Sequence, residues 1–185
     1  YIFLDGVGQS YTMLTSYQPV LSSGSHYVSV NAYDAAGNAV GSGNVYGYVD
    51  KTAPSSSFSV NKTSFVPGET ITLTITASDS QSGINVVQAY YQGAWHNLSC
   101  AGAASCTKSW SFTESGFGSY TYTGNAYDQV GNAAYTVPST ITVNVADNVP
   151  PTFTSFSVSP ITWTNTNPIW SWLATDAGSG MKTVD

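Results

Sequence analysis

Five aspartates recur at matching places along this chain of 185 residues, and their carboxylates are the groups best suited to hold a metal ion. Asp50, Asp79 and Asp128 form one set, and Asp147 and Asp176 form a second. Calcium takes about six to eight oxygen ligands, which separate loops can supply together. If the loops that carry these residues meet at one end of a fold, they predict one calcium site from the first set and another from the second.

The same aspartates also have a simpler explanation as turn residues. The stretch Asn-Ala-Tyr-Asp-Ala-Ala-Gly-Asn at 31–38 returns as Asn-Ala-Tyr-Asp-Gln-Val-Gly-Asn at 125–132. Aspartate at the start of a tight turn accepts the backbone N–H two residues on, while glycine takes the left-handed conformation at its end. Gly37 and Gly131 would fill that second role. Calcium binding and turn formation both stay open at this point.

Groups suited to catalysis are few. The chain has two histidines, His26 and His96, and ten acidic residues that fall mostly in turn-like stretches. It has no motif for a serine or cysteine nucleophile, no histidine cluster and no glycine-rich phosphate loop. Two carboxylates in one cleft would serve glycoside hydrolysis, but the repeat spreads equivalent acids over separate domains. We therefore expect that the protein is not an enzyme.

Cys100 and Cys106 are the two cysteines of the chain. Their spacing favours a local disulfide that clamps an enlarged loop if the protein is secreted, because disulfides persist in that compartment. A zinc site has little support, since two sulfurs at this spacing have only His96 as a nearby further ligand. Asn61 and Asn97 begin Asn-x-Ser/Thr sequences and are candidate glycosylation sites.

Aromatic rings offer a further kind of site, because tryptophan and tyrosine can stack on sugars. Tyr91, Trp95 and Trp110 cluster around the cysteines and are the candidate contacts to a surface glycan. Trp170 and Trp172 occupy alternating positions that the repeat described below places on a buried strand face. We expect these two residues to belong to a core.

Composition narrows the classes of partner. Only 8% of residues are charged, arginine is absent, and the net charge is −6. Such a chain cannot neutralise a run of phosphates, so we expect no nucleic acid partner. With 42% hydrophobic residues it can nevertheless bury a core. No apolar run reaches the roughly 18 residues of a membrane-spanning helix, so we expect no span in this segment.

The elements that must position these residues are strands. Residues 70–77 read Thr-Ile-Thr-Leu-Thr-Ile-Thr-Ala, which places the apolar residues on one face and the threonines on the other. This alternation is typical of a strand with one buried and one wet side. Residues 27–33, 120–127 and 140–145 show a similar pattern, separated by Gly, Asn, Ser and Pro. The sequence therefore predicts an all-β fold.

A repeat of about 95 residues sets the domain organisation. Gly24–Asn38 aligns with Gly118–Asn132 at an offset of 94, and Phe58-Ser-Val returns as Phe156-Ser-Val. About seven short strands per repeat is the rhythm of an immunoglobulin-like sandwich. We expect tandem immunoglobulin-like β-sandwiches, one complete and two partial: the C-terminal part of one domain at 1–50, a complete domain at 51–147, and the N-terminal part of a third at 148–185.

Motifs within the repeat carry a family resemblance. In family order they are Ala-x-Asp, Ser-Gly-Ile or Ser-Gly-Met, Leu-Asp-Gly, Gly-Ser-His-Tyr, Tyr-Asp-Ala-Ala-Gly-Asn and Val-Asp-Lys-Thr-Ala-Pro. Their order resembles the bacterial Ig-like repeats of long secreted and cell-surface proteins, of which the OmpL47-type repeat is one. The resemblance covers essentially the whole chain and implies an extracellular, cell-surface or secreted location. Such modules serve as stalks, adhesin spacers and accessory domains, so fold alone does not fix their function.

The two partial domains suggest how the chain is used. Joined tail to head, residues 179–185 and 1–6 spell a good copy of the segment that follows Ser-Gly in the repeat. Either the chain is a window cut from a longer one, or copies assemble head to tail by strand complementation. We expect a structural segment of an extracellular fibre, stalk or adhesin, whose partners are copies of itself or neighbouring Ig-like repeats. The alternative function is a glycan- or ligand-binding accessory module.

Overall fold

The structure is a computed structural model that describes residues 1–10 and 15–182. Its regular elements are all strands, as the sequence predicts. The first sheet has the order β2-β1-β3-β4, with β5 also paired to β3. Its strands are β1 (Ile2–Leu4), β2 (Val7–Ser10), β3 (Gly24–Tyr33), β4 (Ala39–Gly41) and β5 (Val45–Val49).

The middle of the chain forms a closed sandwich. Its strands are β6 (Ser55–Val60), β7 (Ser64–Phe65), β8 (Thr70–Ser78), β9 (Ile84–Tyr91), β10 (Ala94–Ala103), β11 (Ser105–Thr113), β12 (Gly118–Asp128) and β13 (Ala133–Val145). A four-stranded layer has the order β10-β9-β12-β13, and a three-stranded layer has the order β6-β8-β11. β6 and the short β7 both pair in parallel with β13, so the two layers are joined along one edge.

The core of this sandwich lies between the two layers. In β8 the predicted alternation holds, since Ile71, Leu73, Ile75 and Ala77 are buried and the threonines between them are not. Across the gap the four-stranded layer contributes buried residues from all four of its strands: Val87, Ala89, Cys100, Tyr122, Ala126, Val143 and Val145. Gly124 shows how closely the layers approach, because a Cβ there would lie 3.0 Å from Ile75 Cδ1.

The last described part of the chain is a two-stranded hairpin of β14 (Thr152–Ser159) and β15 (Ile169–Thr175). It corresponds to β6 and β8 of the middle sandwich, with Trp170 in the place of Leu73 and Trp172 in the place of Ile75. Leu73 and Ile75 are fully buried, whereas Trp170 is 56% and Trp172 51% exposed. The expectation that these tryptophans are core residues is therefore not met within one chain, because no second layer covers them among the described residues.

The first sheet is the other half of the same architecture. Its order β2-β1-β3-β4 reproduces β10-β9-β12-β13, and β5 pairs with β3 as the second part of β13 pairs with β12. Residues 15–22, which align with the region of β11, form no strand. In the middle sandwich β11 pairs with β8 alone, and the described residues offer the first sheet no equivalent of β8. The third expected domain includes residues 183–185, which lie outside the described residues.

Candidate functional site

The aspartate of the repeated Tyr-Asp-x-x-Gly-Asn stretch organises its own turn. Asp128 Oδ1 accepts hydrogen bonds from the backbone N–H groups of Val130, Gly131 and Asn132, at 3.0, 2.7 and 2.8 Å. The Asn132 side-chain amide donates to the other oxygen, Oδ2, at 2.6 Å. Gly131 has φ +96°, the left-handed conformation that the turn requires. The turn interpretation of this motif is thus visible in its hydrogen bonds.

The same turn recurs in the first sheet. Asp34 Oδ1 accepts from the N–H groups of Ala36 and Asn38, and Asn38 Nδ2 donates to Asp34 Oδ2 at 2.7 Å. Gly37 is left-handed, with φ +90°. These hydrogen bonds favour the ionised carboxylate, so the pKa of Asp34 lies below its ordinary value, first of all because of Asn38.

Asp79 organises the turn between β8 and β9. Its Oδ1 accepts from the backbone N–H groups of Gln81, Ser82 and Gly83, at 2.9, 2.9 and 3.0 Å. Its Oδ2 makes no hydrogen bond to any described residue, although the side chain is buried. The turn is therefore built by one oxygen of the carboxylate, Oδ1.

Asp50 enters this arrangement from the linker before β6. The Ser82 hydroxyl donates to Asp50 Oδ2 at 2.6 Å, and the Ser82 N–H donates to the same atom at 3.2 Å. Thr52 N–H donates to the other oxygen. The Ser82 hydroxyl is the main reason that the pKa of Asp50 lies below its ordinary value. Ser82 therefore joins the linker to the turn of Asp79, a role that the sequence did not single out.

These three aspartates meet at one end of the middle sandwich. One carboxylate oxygen from each of Asp50, Asp79 and Asp128 lies within 4.8 Å of the other two. Asp79 and Asp128 are buried and Asp50 is half-buried. Carboxylate oxygens from three loops at this separation suit a hard cation such as calcium. Asn132 Nδ2 also donates to Asp50 O at 3.3 Å, so all three loops are tied at this joint.

The second joint repeats the geometry as far as the described residues extend. Asp147 Oδ2 accepts from Ser179 N–H at 2.6 Å, as Asp50 accepts from Ser82. Asp176 Oδ1 accepts from the N–H groups of Gly178 and Gly180, as Asp79 accepts from its own turn. The pKa of Asp147 is lowered, chiefly by the Ser179 N–H. Asp147 and Asp176 thus reproduce two of the three acids of the first joint, and no described residue supplies the third.

Comparison with protein families decides the identity of this architecture. Residues 49–123 match the family model of the bacterial Ig domain, from the end of β5 to the middle of β12. The central sandwich is a bacterial Ig domain. Domains of this family typically occur in surface or secreted proteins and are typically non-catalytic. No curated protein is similar enough to the chain to count as a match.

The disulfide predicted within this bacterial Ig domain is present. Cys100 and Cys106 are bonded, with 5.9 Å between their Cα atoms. The bond joins β10 of the four-stranded layer to β11 of the three-stranded layer, so it closes the edge opposite the β6–β13 pair. The loop it closes reaches the aspartate joint, because Asp79 N–H donates to Ala104 O at 2.9 Å.

The aromatic residues proposed as glycan contacts separate into three environments. Trp110 is only 7% exposed and lies in the core opposite Leu73, so its ring is closed to a surface ligand and the prediction for this residue is wrong. Tyr91 packs against the core and is stacked between the rings of His96 and Phe112, with centroids at 3.8 and 4.1 Å. Trp95 is 47% exposed on the outer side of the four-stranded layer.

The two candidate glycosylation residues differ in what their amides do. Asn61 is exposed and spans the start of β8, since its Nδ2 donates to Thr70 O and its Oδ1 accepts from Thr72 N–H. Asn97 is exposed on β10 and makes no side-chain hydrogen bond with the described chain. Glycosylation of either residue stays a prediction.

The two histidines are not brought together. His26 contacts Asp5 in the first sheet, with 2.8 Å between Nδ1 and Oδ2, and its Nε2 lies 3.0 Å from Ser22 O. His96 stacks on Tyr91 in the bacterial Ig domain, where its buried Nε2 has no partner among the described residues. A separate finding concerns membranes: the described part of the chain contains no helix long and apolar enough to cross one.

Proposed function

We propose that the chain is a structural segment of an extracellular fibre, stalk or adhesin, built from tandem Ig-like repeats whose open halves are completed by like repeats. The observation that carries this proposal is the correspondence between the two open halves and the two layers of the closed sandwich. The first sheet matches the four-stranded layer, and the β14–β15 hairpin matches β6 and β8. As far as the described residues extend, each half therefore lacks the kind of layer that the other provides.

The uncovered faces are apolar in the matching way. On the hairpin, Phe156, Trp170 and Trp172 stand where Phe58, Leu73 and Ile75 fill the core, and all three are more than half exposed. On the first sheet, Val28 and Ala32 stand where Tyr122 and Ala126 are buried. Contiguous apolar faces of this kind mark surfaces that another chain or domain covers. The unpaired edge of β15, where β8 pairs with β11, is likewise open to strand addition.

The open halves can be completed by other copies of this chain or by neighbouring repeats of a longer chain. One experiment separates these two arrangements. If copies assemble head to tail, native mass spectrometry of the chain should show a ladder of multiples of 19.5 kDa. Trp172→Asp should collapse the ladder to the monomer, because a buried charge in the completed core would be unpaired. Trp95→Asp, an equally drastic change on the outer face of the closed sandwich, is the matched control and should leave the ladder intact.

A lengthened chain tests complementarity without assembly. Appending a second copy of residues 1–50 after residue 185 should bury Trp170 and Trp172, shift their fluorescence to shorter wavelength and add a second cooperative unfolding transition. The same chain with Val28→Asp in the appended copy should show neither change. Tryptophans that stay solvent-quenchable in the lengthened chain would contradict the proposal that the halves are complementary.

We also propose that calcium binds at the first joint, through Asp50, Asp79 and Asp128. Three carboxylates so close repel one another, and a divalent cation would remove that repulsion while fixing the linker to two turns. The equivalent site at the second joint would use Asp147 and Asp176. Its third carboxylate would come from an Asp34-type turn, because Asp34 occupies in the first sheet the place of Asp128.

Asp79→Asn distinguishes calcium binding from turn formation. The variant keeps a carbonyl oxygen to accept the three turn N–H groups but removes one charge and one good ligand. For the wild type we expect calcium to raise the Tm and chelator to reverse the rise. At a hundredfold excess of calcium over Kd, binding should add about 2.7 kcal/mol to the free energy of unfolding. Asp79→Asn should lose the rise, whereas Asp34→Asn, outside the joint, should keep it. An unchanged wild-type Tm would rule out the site.

A further inference from the structure

The outer face of the four-stranded layer carries a row of amides flanked by aromatic rings. The register places Asn97, Gln88, Asn125 and Tyr135 side by side across β10, β9, β12 and β13. In the next row Trp95 lies opposite Tyr90, with ring centroids 5.4 Å apart. Trp95 and Tyr135 are both largely exposed. From ordinary strand spacing and rise, these two residues are about 16 Å apart across the face, which is longer than a single sugar ring.

The hydrogen bonds of this face differ from those of the opposite one. On the outer face of the three-stranded layer, hydroxyls pair across β8 and β11 at 2.9 to 3.0 Å: Thr72 with Ser111, Thr74 with Ser109, and Thr76 with Thr107. On the outer face of the four-stranded layer, the amides of Gln88, Asn97 and Asn125 make no hydrogen bond with the described chain. The second face has similar pairs only at one end of β12 and β13, where Ser119 donates to Asn144 and Thr121 pairs with Thr142. The central amide row is therefore left with donors and acceptors available.

Asn125 is the strongest indication that something else completes this row. The residue is only 6% exposed, and its Oδ1 is buried without a donor. An unsatisfied buried polar group costs about 1–3 kcal/mol, so native structures rarely retain one without a reason. Gln88 and Tyr135 lie opposite it on the flanking strands. A ligand that reorganises these neighbours could offer the missing donor.

The face is also uncharged, which limits the ligand. None of the residues in its central rows carries a charge: Trp95, Asn97, Ser99, Val86, Gln88, Tyr90, Thr123, Asn125, Tyr127, Ala133, Tyr135 and Thr140. A phosphate or sulfate would find no cation there, and an amine would find no carboxylate. Amides both donate and accept, as sugar hydroxyls do, and aromatic rings offer apolar surface to the C–H face of a sugar.

We propose that this face binds a neutral oligosaccharide, with Trp95 and Tyr135 as aromatic platforms and Gln88, Asn97 and Asn125 as the hydrogen-bonding row between them. The function goes beyond that of a spacer, and it does not depend on completion of the open halves or on calcium. The ligand lies across the strands, because the amide row does. Of the residues involved, the sequence singles out Trp95 and Asn97, whereas Asn125 and Tyr135 are brought beside Gln88 by strand pairing alone.

Binding of a defined panel to the full chain tests this proposal. The probes are neutral hexasaccharides (cellohexaose, xylohexaose, maltohexaose and chitohexaose), with polygalacturonate as the charged comparator, measured by calorimetry with EDTA present. We expect saturable binding of at least one neutral probe. Its Kd should rise about tenfold or more in Trp95→Ala and in Tyr135→Ala, the effect of losing one central contact. In NMR spectra the side-chain amide signals of Gln88, Asn97 and Asn125 should shift on binding.

Two controls make the result specific. Trp172→Ala removes an equally exposed tryptophan from the open hairpin and should leave Kd unchanged, and so should Thr74→Ala on the opposite face. Each variant is checked for an unchanged unfolding midpoint of the closed sandwich. The proposal is overturned if no neutral hexasaccharide binds, if polygalacturonate binds as well as the neutral probes, or if Trp172→Ala weakens binding as much as Trp95→Ala.

Discussion

β8 and β15 present matching residues on matching faces, yet one lies at the centre of a core and the other lies in the open. Leu73 and Ile75 pack against Phe58 and the four-stranded layer, while in the described part of the chain β14 is the one strand that pairs with Trp170 and Trp172. Side-chain alternation selects which face of a strand turns inward, but burial needs a second layer. The completeness of the sandwich, more than the hydrophobicity of its strands, therefore decides where this chain is stable.

The largest expected effect on stability comes from comparing a buried tryptophan with an exposed one. Trp110→Ala should destabilise the closed sandwich by about 3–5 kcal/mol, because it leaves a cavity in a packed core. Trp172→Ala should change the free energy of unfolding of the isolated chain by less than about 0.5 kcal/mol, as expected for an exposed position. Denaturant titration followed by far-UV circular dichroism measures both. Equal effects would show that the hairpin is already covered.

The disulfide provides the next largest effect. Cys100→Ser combined with Cys106→Ser should lower the stability of the closed sandwich by about 2 kcal/mol, because the short loop it closes constrains the unfolded chain only modestly. Reduction of the wild type should give the same loss. The exposure of Trp170 and Trp172 to a quencher should not change. The disulfide joins β10 to β11, and the hairpin contains the equivalent of neither strand.

The repeated turn allows a closer comparison of closed and open parts. Asp128→Ala removes the acceptor of three backbone N–H groups at a buried position and should cost about 1–3 kcal/mol. Asp34→Ala removes the same kind of acceptor at an exposed position, where water can replace it, and should cost less than about 1 kcal/mol. Unfolding midpoints in EDTA isolate the turn from any bound calcium. If Asp34→Ala lowered the stability more than Asp128→Ala, the Asp34 turn in the first sheet would have to be the more buried of the two.

The smallest expected effect is the pH dependence that the His26–Asp5 pair gives to the first sheet. The hydrogen bond to Asp5 raises the pKa of His26 above its ordinary 6.5, and the same bond lowers the pKa of Asp5 below 3.8. The contribution of His26 is thus fully present below pH 6.5 and lost as the pH rises through its raised pKa. The contribution of Asp5 is present above pH 3.8 and lost as the pH falls through its lowered pKa.

NMR titration of the His26 ring protons measures this pairing. The pKa should return towards 6.5 in Asp5→Asn, while the closed sandwich keeps its unfolding midpoint. A His26 pKa that is the same in wild type and in Asp5→Asn would show that the contact does not form in solution. Because the Asp5 carboxylate is exposed and water screens the pair, we expect only a slight effect on overall stability.

Much of the fold follows from local pattern, and much of the site does not. The alternation in residues 70–77 predicts the buried face of β8, because each side chain's environment is set by period two. Trp110 obeys the same rule, since it lies an even number of residues from buried Cys106, but proximity to the cysteines suggested a surface cluster. Ser82 and Asn125 gain their roles only from loops and strands that meet in three dimensions, and no spacing in the sequence shows this.

The parallel pairing of β6 and β7 with β13 has a consequence for how the domain bears load. The chain enters the closed sandwich at β6 and leaves it at β13, so a pull on the two linkers drags these strands past each other in opposite directions. Asn144 N–H to Thr63 O and Ala146 N–H to Phe65 O, at 2.9 and 2.8 Å, then resist together in shear. A hairpin pulled from one end would lose such bonds singly. A pull on the two linkers would therefore load these hydrogen bonds together.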